Sequence, residues 1–552
     1  MTLTQWILFF LVVQLIHFLG TWKLYVRAGR KAWEAAVPVY NAVVLMKIIN
    51  RSKWWVILLF IPIVQLIMLM VIWVETIRSF GFRTYKDTAL VIFTLGFYIY
   101  YINYMTDAPY IHDRDLMPQS TNGEWVSSIL FAIVAATLVH TYFMQPFTIP
   151  TSSLEKTLLV GDYLFVSKFH YGARAPKTTI ATPMLHDTVP SIPVPFTGIK
   201  LTPKFKSYSS WPELPYFRLP GFQGIKRNDI VVFSWPVDTL VDITPGSRNK
   251  TSAYKPIDKK SNYVKRCVGL PGDSLEVRGG YVYINGKKNE LPDRAKLQFS
   301  YEIESTEPLV IVTPDRHYTA SPTPFFADRY DISDIYVSSV NQEKRTITHN
   351  AQLTDEAYEK LKNNSNIVRI TKNKLPRRSN SNLFPTTGNH DWSNNEFGPI
   401  YIPEAGKTVA ITPESLPFYK RVIEVYEGTE MEITQKISTQ GNQVLLNGRP
   451  LTEYTFKQDY YWMMGDNRHN SQDARAWGYV PWNHVVGKPV FVWFSLDGKK
   501  NGFFNRIRWD RVFTTVSGSG ETKSYFVHFL ILLALYFVGN TIWKKRKANK
   551  TS

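Results

Sequence analysis

The chain has 552 residues and a formal net charge of +19, and its length accommodates several domains. Nucleic-acid binding often explains so large a charge, but no basic stripe with a nucleic-acid-binding motif occurs. Basic loops beside membrane spans explain the charge better. The single cysteine, Cys267, excludes an internal disulfide and a multi-cysteine metal site.

Five apolar runs are predicted to span a membrane, since a helix needs roughly 17–25 apolar residues to cross a bilayer core. The first run lacks the basic start and the small-residue cleavage site of a removable signal peptide. The third run is the weakest, and an interfacial position is its alternative. In chain order the runs cover residues 6–22, 54–73, 89–105, 125–142 and 524–543.

The positions of Lys and Arg predict how these runs are oriented. The loop after the first run and the tail after the last run are strongly basic. Both are therefore expected in the cytoplasm, with residues 146–522 outside and, for five spans, the N-terminus outside as well. One loop disagrees, because Arg78, Arg83 and Lys86 would then face outward.

The segment 25–41 resembles a small membrane module seen in bacterial proteins, through Trp33 and a Pro-x-Tyr-Asn sequence that ends at Asn41. The alternative is an amphipathic connector that lies in the membrane interface. Neither interpretation assigns a chemistry to this segment.

A proline-bounded stretch follows the fourth apolar run. Pro146 and Pro150 oppose a helix and favour extended backbone, and three consecutive hydroxyl side chains follow at 151–153. One interpretation is that these hydroxyls cap a helix that starts at Leu154. The other is a nucleophilic serine held beside the membrane surface, which needs a base from elsewhere in the chain.

The soluble region is predicted to be mostly β, and two Asn-Gly pairs, at Asn285 and Asn447, are strong hairpin signals. Residues 172–224 and 290–405 are rich in Pro, Ser, Thr and Asn and are predicted to be insertions or loop-rich segments. The strand-like runs cover residues 163–166, 229–235, 263–268, 281–284, 408–411, 444–446 and 490–494.

Lys265 is the candidate base. A lysine base must be neutral, which requires that burial lower its pKa from about 10.4 to about 7–8. Side chains alternate along a strand, so Lys265 shares one face with Tyr263 and Cys267 while Arg266 points away. An exposed strand lysine is the alternative. The similar Tyr-Lys-Arg sequence at Lys420 supplies a rival base and leaves an internal duplication open.

Residues 464–475 are dense in Asp, Asn, Arg and Ser. A hydrogen-bonded loop is the plain interpretation, and a calcium loop is set aside because the required glycine and terminal glutamate are missing. His469 and Asp473 lie close in sequence, but His469 has no evident link to a serine, which disfavours a Ser-His-Asp triad. As a functional loop, this segment could orient a lysine with a hydroxyl and fix the site with ion pairs.

Four stretches occur in the order found in bacterial type I signal peptidase, the membrane-bound leader peptidase, and resemble it. They cover a modest part of the chain. Leu154 stands where the family often has methionine, and Lys265 replaces the histidine of the eukaryotic relatives. The stretches are I-P-T-S-S-L-E-K-T-L-L-V-G-D (149–162), N-D-I-V-V-F (228–233), Y-V-K-R-C-V-G-L-P-G-D (263–273) and G-D-N-R-H-N-S-Q-D-A-R-A-W-G-Y-V-P (465–481).

The resemblance implies roles for individual residues. Ser153 is the implied nucleophile and Lys265 the general base of a Ser-Lys dyad. Thr151 is implied to help form the oxyanion hole, and Ser471 to hydrogen-bond the lysine. The implied ion-pair and loop positions are Arg266, Asp466, Asp473 and Arg475. The implied apolar pocket for small substrate side chains is lined by Phe147, Ile149, Leu154, Tyr263 and Val264.

The implied function is a membrane-bound serine endopeptidase that removes N-terminal signal peptides from exported preproteins. The alternative is a catalytically inactive, membrane-anchored binding or scaffold protein of the same fold. The expected partners are signal peptides and membrane lipid, beside the protein-export channel. No cofactor, metal or nucleic acid is expected.

The expected fold is a multi-span α-helical membrane region plus a mostly-β extracytoplasmic catalytic domain with large insertions. The expected location is the bacterial plasma (inner) membrane, with several crossings and a cytoplasmic C-terminal tail. The expected domains are a membrane region (1–124, about three spans), a span leading into the catalytic domain (125–145), a peptidase domain (146–522, insertions at 172–224 and 290–440), and a final span with a basic tail (523–552).

Overall fold

The computed structural model divides the chain into two compact units. The first unit holds Met1–Phe143, Arg174–Leu219 and Asp238–Lys260, and the second holds Met144–Ala173, Pro220–Val237 and Ser261–Ser552. The described residues are 3–117, 120–187, 192–193, 200–201, 206–238, 240–241, 251–252, 255–312, 320–322, 329–332, 334–376, 382–387 and 390–551.

The first unit begins with apolar helices, and the last long helix of the chain belongs to the second unit. In chain order the helices are α1 (Leu3–Arg27), α2 (Tyr40–Ile48), α3 (Trp55–Leu58), α4 (Val64–Ser79), α5 (Tyr85–Phe93), α6 (Tyr98–Met105), α7 (Thr121–Leu138), α8 (Asp355–Leu361), α9 (Leu416–Arg421), α10 (Ala474–Trp477), α11 (Phe503–Arg506) and α12 (Phe526–Thr551).

Three described helices are long and apolar enough to cross a membrane, namely Thr4–Arg27, Thr121–Phe143 and Phe526–Arg546. They correspond to the first, fourth and fifth predicted runs. The third run forms α5 and α6, which meet at an angle of 114° and pass the same test only as a pair. Leu95 and Gly96 have positive φ angles at the bend, which interrupts the helical backbone there.

The second predicted run differs from the expectation, because it does not form one helix. Residues 54–73 are divided between α3 and the first part of α4. Pro62 lies between these helices, and Ile63 has a φ of +71°. A proline cannot continue the helical hydrogen bonding, which accounts for a break inside an otherwise apolar run.

The second unit is mostly β-sheet. The strands of the chain, including the short ones of the first unit (β3, β4, β6 and β7), are β1 (Met144–Thr148), β2 (Asp162–Ser167), β3 (Ile192–Pro193), β4 (Lys200–Leu201), β5 (Ile230–Ser234), β6 (Leu240–Val241), β7 (Thr251–Ser252), β8 (Asn262–Gly269), β9 (Ser274–Arg278), β10 (Tyr281–Ile284), β11 (Lys287–Lys288), β12 (Gln298–Ser305), β13 (Val310–Val312), β14 (Ala320–Pro322), β15 (Ile335–Asn341), β16 (Thr346–Thr354), β17 (Ile367–Lys372), β18 (Phe397–Tyr401), β19 (Thr408–Ala410), β20 (Ile437–Gln440), β21 (Gln443–Leu446), β22 (Arg449–Pro450), β23 (Glu453–Thr455), β24 (Tyr460–Met464), β25 (Val480–Pro481), β26 (Val485–Ser495) and β27 (Thr514–Thr515).

An eight-stranded antiparallel sheet organises the second unit, in the order β1-β2-β26-β5-β8-β24-β25 with β27 beside β26. Its central strand β5 is buried on both faces: Ile230 and Val232 pack in one apolar cluster, and Val231 and Phe233 in another. This explains why β5 reads as an uninterrupted apolar run rather than an alternating one.

The Asn-Gly pairs form the predicted hairpin turns. Asn285 (φ +51°) and Gly286 (φ +80°) connect β10 to β11, and Asn447 (φ +52°) and Gly448 (φ +80°) connect β21 to β22. Positive φ at both central residues is what a tight two-residue turn requires, and Asn and Gly tolerate it best.

The segment 290–405 contains structure that the sequence prediction missed. Strands β15, β16, β12 and β17 form a four-stranded sheet. Inward-facing Phe299, Tyr301 and Ile303 of β12 alternate with polar residues and pack in a buried cluster with Leu361 of α8. The expectation of loop-rich decoration is therefore wrong here; we call this sheet with α8 the insertion sheet.

Candidate active site

Ser153 lies in a single 3-10 turn, Ser152–Leu154, shortly after the end of β1. Thr151 precedes the turn with extended backbone and makes no side-chain capping hydrogen bond, so the predicted helix cap at Leu154 is not formed. Leu154 is 1% exposed and packs in the apolar cluster on one face of the sheet. This packing fixes the turn that carries Ser153.

Lys265 lies on β8, between β5 and β24, and its side chain reaches the serine turn. Its Nζ donates a hydrogen bond to Ser153 Oγ at 2.5 Å. Both residues are buried, with 4% of Lys265 and 6% of Ser153 exposed. The same Nζ lies 5.8 Å from the centroid of the Tyr263 ring, consistent with the expected shared face of the strand.

Burial lowers the pKa of Lys265 to about 8. The carboxylates of Asp473 and Asp466 oppose this lowering, and the Arg475 guanidinium adds to it. Close to neutral pH, a useful fraction of Lys265 is therefore unprotonated. A neutral amine within hydrogen-bonding distance of a serine hydroxyl can accept its proton, which is the requirement for a lysine base.

Asp473 and Arg475 form a buried ion pair behind the serine turn. Arg475 Nε and Nη2 donate to the two carboxylate oxygens of Asp473 at 2.9 and 2.8 Å. Burial raises the pKa of Asp473, but the Arg475 guanidinium outweighs it and holds that pKa below its usual value. Asp473 also accepts from the Gly465 N–H at 3.1 Å, which ties the two ends of the loop together.

A second buried ion pair connects β8 to the same loop. Arg266 donates through Nε and Nη2 to both oxygens of Asp466, at 2.7 and 2.6 Å. Thr157, which follows the serine turn, donates its hydroxyl hydrogen to Asp466 Oδ2 at 2.8 Å. The strand that carries Lys265 and the segment that carries Ser153 are thus joined through one carboxylate.

The loop 465–475 contacts the serine turn directly. The Asn467 N–H donates to the Ser153 carbonyl oxygen at 3.1 Å, and Asn470 Nδ2 donates to Ser152 Oγ at 3.0 Å. A Cβ added at Gly465 would lie 2.2 Å from Ser471 Oγ and 2.6 Å from the Ser153 carbonyl oxygen. Only glycine therefore permits this close approach of the loop to the turn.

Ser153 and Lys265 open into a cleft of about 620 Å³. Of the predicted pocket residues, Phe147, Ile149, Tyr263 and Val264 line it, whereas Leu154 does not because its side chain is in the core. Sequence analysis missed other apolar lining residues, among them Leu164, Val232 and Leu383.

Two predicted supporting hydroxyls also line the cleft. Thr151 is exposed and borders the cleft beside Ser153. Ser471 Oγ is buried and has no hydrogen-bond partner among the described residues, so the implied bond to Lys265 is not formed. The hydroxyl that contacts Lys265 is instead that of Ser153.

The alternative bases, Lys420 and His469, do not contact the hydroxyl of Ser153. Lys420 is on α9 with a side chain that is 52% exposed, 3.8 Å from Glu424, and it does not line the cleft. Residues 419–423 lie in α9 and in the helical turn that follows it, not in a strand. An internal duplication of β8 in this segment is therefore wrong. His469 contacts the Ser300 N–H and the Asn395 side chain rather than a serine hydroxyl, so it is not part of a Ser-His-Asp triad.

Two strand edges border the cleft. Strand β1 pairs with β2 alone, and the 262–265 part of β8 pairs with β5 alone among the described strands. Residues of both segments line the cleft. An extended peptide could hydrogen-bond to such edges as an added strand.

The chain was compared with known proteins. Signal peptidase I of Haemophilus influenzae is 22% identical over 406 residues, which cover 72% of this chain and 77% of that protein. Signal peptidase I of Helicobacter pylori is 23% identical over 403 residues, covering 71% and 91%. Signal peptidase I of Rickettsia massiliae is 30% identical over 174 residues, covering 30% and 44%.

Two family matches divide the chain. Residues 33–113 match a family of unknown function (DUF5684). Residues 122–323 and 338–494, more than half of the chain, match the family described as signal peptidase, peptidase S26. The second match contains Ser153, Lys265 and the loop 465–475. The chain therefore belongs to the signal peptidase family, peptidase S26, and it is a serine endopeptidase.

Proposed function

We propose that this protein removes N-terminal signal peptides from exported preproteins, with Ser153 as nucleophile and Lys265 as general base. The observation that carries this proposal is the 2.5 Å contact between Lys265 Nζ and Ser153 Oγ, two buried residues that line the cleft. The similarity to proteins named signal peptidase I supports the choice of substrate.

In the proposed reaction, Ser153 Oγ attacks the scissile carbonyl carbon while Lys265 Nζ takes the hydroxyl proton. The lysine then gives that proton to the leaving amine, and an acyl-enzyme forms. Lys265 Nζ then takes a proton from a water molecule, which attacks the ester carbonyl. The ester is hydrolysed, and the proton returns from the lysine to Ser153 Oγ. The lowered pKa of Lys265, about 8, suits both directions of proton transfer near neutral pH.

The remaining site residues have supporting roles in this proposal. The Thr151 hydroxyl and the Ser153 backbone N–H are the oxyanion donors, because both border the cleft at the nucleophile. Ser471 lines the same cleft, and its free hydroxyl is available to Lys265 once substrate displaces the Ser153 contact. The two ion pairs, Arg266–Asp466 and Asp473–Arg475, hold β8 and the loop in position.

The cleft fits an extended peptide. A signal peptide segment that pairs with β1 on one side and with 262–265 on the other would extend both strand edges through backbone hydrogen bonds. Its alternate side chains would then face the apolar lining, which favours small uncharged residues before the cut. The lining residues on this side are Phe147, Ile149, Leu164, Val232, Tyr263 and Val264.

The proposal includes a membrane topology in which α1 starts on the catalytic side. Trp6 of α1 donates through Nε1 to the Glu213 carbonyl oxygen at 3.0 Å, and the Phe9 and Trp211 rings are 6.4 Å apart. Residues 174–219 connect β2 to β5 of the catalytic sheet. These contacts therefore support an extracytoplasmic N-terminus, with the catalytic domain on the same side.

In this topology, two helix pairs between α1 and α7 begin and end on the cytoplasmic side and do not cross the membrane. The pairs are α3 with α4 and α5 with α6. Arg51 Nε donates to Glu75 Oε2 at 3.1 Å, which brings the start of α3 and the end of α4 together. The Ile111 N–H donates to the Ser79 carbonyl oxygen at 2.9 Å, which brings the residues before α5 and the residues after α6 together. With crossings by α1, α7 and α12 only, Arg78, Arg83 and Lys86 face the cytoplasm, in accord with the positive-inside rule.

This location supports the proposed substrate physically. A signal peptide is held in the bilayer, so an enzyme anchored in the same membrane beside the export channel meets it without a three-dimensional search. The chain passes from α7 directly into β1, the edge strand of the cleft. The plasma membrane of a bacterium is the proposed location, with lipid as a partner of the apolar helices.

Cleavage of a membrane-inserted preprotein by the purified full chain tests the function. The expected product begins at one residue, after a small side chain, and Ser153→Ala abolishes it. Ser438→Ala is the matched control, because Ser438 is an exposed residue of β20 that does not line the cleft, and it should retain cleavage. Failure of the wild-type protein on several preproteins would favour the inactive scaffold.

Cysteine accessibility in sealed vesicles tests the topology. Thr4→Cys should react with a membrane-impermeant maleimide from the same side as Lys360→Cys of the catalytic unit. Lys86→Cys should react only from the opposite side. Cys267 is fully buried and supplies no background labelling. Labelling of Thr4→Cys together with Lys86→Cys would contradict the proposed crossings.

A further inference from the structure

The side chain of His469, in the loop 465–475, is held by the insertion sheet and by Asn395. The Ser300 backbone N–H, on β12, donates to His469 Nδ1 at 2.9 Å. His469 Nε2 lies 3.1 Å from Asn395 Oδ1, just before β18. The Phe299 ring of β12 meets the imidazole edge-on at 6.0 Å. The imidazole is thus fixed at both nitrogens and against one aromatic ring.

These partners fix the tautomer of His469. A backbone N–H can only donate, so Nδ1 accepts and the ring proton is on Nε2, which donates to Asn395 Oδ1. Burial lowers the pKa of His469 to about 4, and the positive charges of Arg475, Lys372 and Arg468 add to this lowering. The ring is therefore neutral over the pH range in which Lys265 titrates.

The backbone beside His469 is fastened to the same insertion. The Gln298 N–H donates to the Asp466 carbonyl oxygen at 3.0 Å, and the Arg468 N–H donates to the Gln298 carbonyl oxygen at 2.9 Å. The loop therefore runs alongside the start of β12, and the His469 side chain closes this contact at its end. Gln298 and Ser300 both belong to β12, one of the two inner strands of the insertion sheet.

The residues that flank His469 hold the nucleophile. Asn467 donates its backbone N–H to the Ser153 carbonyl oxygen, and Asn470 donates its side-chain N–H to Ser152 Oγ. His469 lies between these two contacts. A shift of the loop by a fraction of an ångström would therefore move Ser153 relative to Lys265, and catalytic rates respond steeply to such shifts.

We propose that His469 is a positioning residue through which the insertion sheet sets the geometry of the Ser153 turn. This inference rests on the proposed function, because the turn carries the nucleophile of that reaction. His469 takes no part in proton transfer, and its role is exercised through Asn467 and Asn470. The insertion sheet is accordingly a part of the active-site scaffold.

Two substitutions separate the hydrogen bonds from the volume of the ring. His469→Phe keeps an aromatic ring but removes both hydrogen bonds. It should lower kcat by about 10–100-fold, since it loosens the turn, and leave KM within about twofold. His469→Asn places an amide oxygen where Nδ1 accepts from Ser300. This conservative change should keep kcat within about fivefold of wild type.

His349 supplies a matched control from the same sheet. It is fully buried on β16, lies 3.4 Å from Ser305 Oγ through Nδ1, and accepts from the Leu309 N–H through Nε2. None of these partners belongs to the loop 465–475. His349→Asn should therefore lower the thermal unfolding temperature while kcat per folded enzyme stays unchanged.

Hydrogen–deuterium exchange of the full-length protein tests the proposal without relying on cleavage. Peptides that cover 464–475 and 151–155 should exchange faster in His469→Phe than in wild type, and His469→Asn should restore part of the protection. This readout distinguishes a failed positioning role from a failed assignment of the substrate.

The pH dependence of kcat/KM separates positioning from catalysis. Wild type and His469→Asn should share one inflection at about pH 8, which belongs to Lys265. Loss or displacement of an inflection in His469→Asn would assign His469 a proton-transfer role and overturn the proposal. An unchanged kcat and unchanged exchange in His469→Phe would also overturn it.

Discussion

Two segments of this chain have similar sequences and different structures. Tyr-Val-Lys-Arg at 263–266 forms part of β8, and its lysine is buried against Ser153. Tyr-Lys-Arg at 419–421 ends the helix α9, and its lysine is half-exposed beside Glu424. A tripeptide thus carries little information about reactivity. The fold buries Lys265 beside the Ser153 turn, and that desolvation lowers its pKa.

The largest expected difference between the two segments is in activity. Lys265→Met should lower kcat/KM for preprotein cleavage by at least about 10³-fold, because the serine loses its base. Lys420→Met should change it by less than about twofold, because α9 does not border the cleft. Single-turnover cleavage measures both. A dead Lys420→Met protein beside an active Lys265→Met protein would contradict the comparison.

The ion pairs of the two segments should contribute differently to the free energy of unfolding. Asp466→Ala leaves Arg266 buried without its carboxylate and should lower the free energy of unfolding by about 3–5 kcal/mol. Lys420→Ala removes the half-exposed lysine of the Lys420–Glu424 pair and should change it by less than about 1 kcal/mol. Urea unfolding of both proteins gives the two values. Equal decreases in the free energy of unfolding would contradict the idea that burial makes the Arg266–Asp466 pair more important for stability than the Lys420–Glu424 pair.

Removal of the buried charge should stabilise the folded protein. At pH 7, Lys265→Met should raise the free energy of unfolding by about 3 kcal/mol, which corresponds to lowering a lysine pKa from 10.5 to about 8. The sign follows because the unfolded chain binds this proton more tightly than the folded one. The free energy of unfolding of the wild-type protein rises as pH increases from 8 to 10.5. The stability advantage of Lys265→Met over wild type should therefore shrink over that range.

Lys420→Met is the control for this gain, since it removes an exposed charge and should leave the free energy of unfolding within about 0.5 kcal/mol of wild type. A Lys265→Met protein that unfolds at lower urea concentration than wild type at pH 7 would contradict the buried-charge account.

The smallest expected effect concerns Ser471. Its hydroxyl has no hydrogen-bond partner among the described residues, so Ser471→Ala removes no contact of the free enzyme. The rate of cleavage should fall by less than about tenfold, through the loss of a hydroxyl that becomes available to Lys265 only when substrate is bound. A loss as large as that of Lys265→Met would mean that Ser471 orients the base in the free enzyme as well.

Local patterns predicted the parts of the fold that depend on local interactions. The apolar run of β5 and the Asn285-Gly286 turn are both found where the sequence indicated them. Strand β12 was missed because half of its residues face outward and are polar, so no long apolar run marks it. The break in the second apolar run was also missed, although Pro62 signals it.

The site was predictable where side chains act through neighbours on one strand and not where distant segments meet. Alternation along β8 predicted that Lys265 and Arg266 point to opposite faces. The placement of Leu154 in the core instead of the cleft depends on how β2 and β26 pack beneath the turn, which no periodicity encodes. Leu383 lines the cleft although it lies more than a hundred residues from β8 in the chain, and it has no local signal.

The pH dependence of kcat/KM for preprotein cleavage by the wild-type protein tests the central claim most directly. If Lys265 is the base, the rate should rise about tenfold per pH unit at low pH and level off with an apparent pKa of about 8. An inflection near pH 6.5 would indicate a histidine base. A rate that does not change between pH 6 and 9 would also contradict the Ser153–Lys265 dyad.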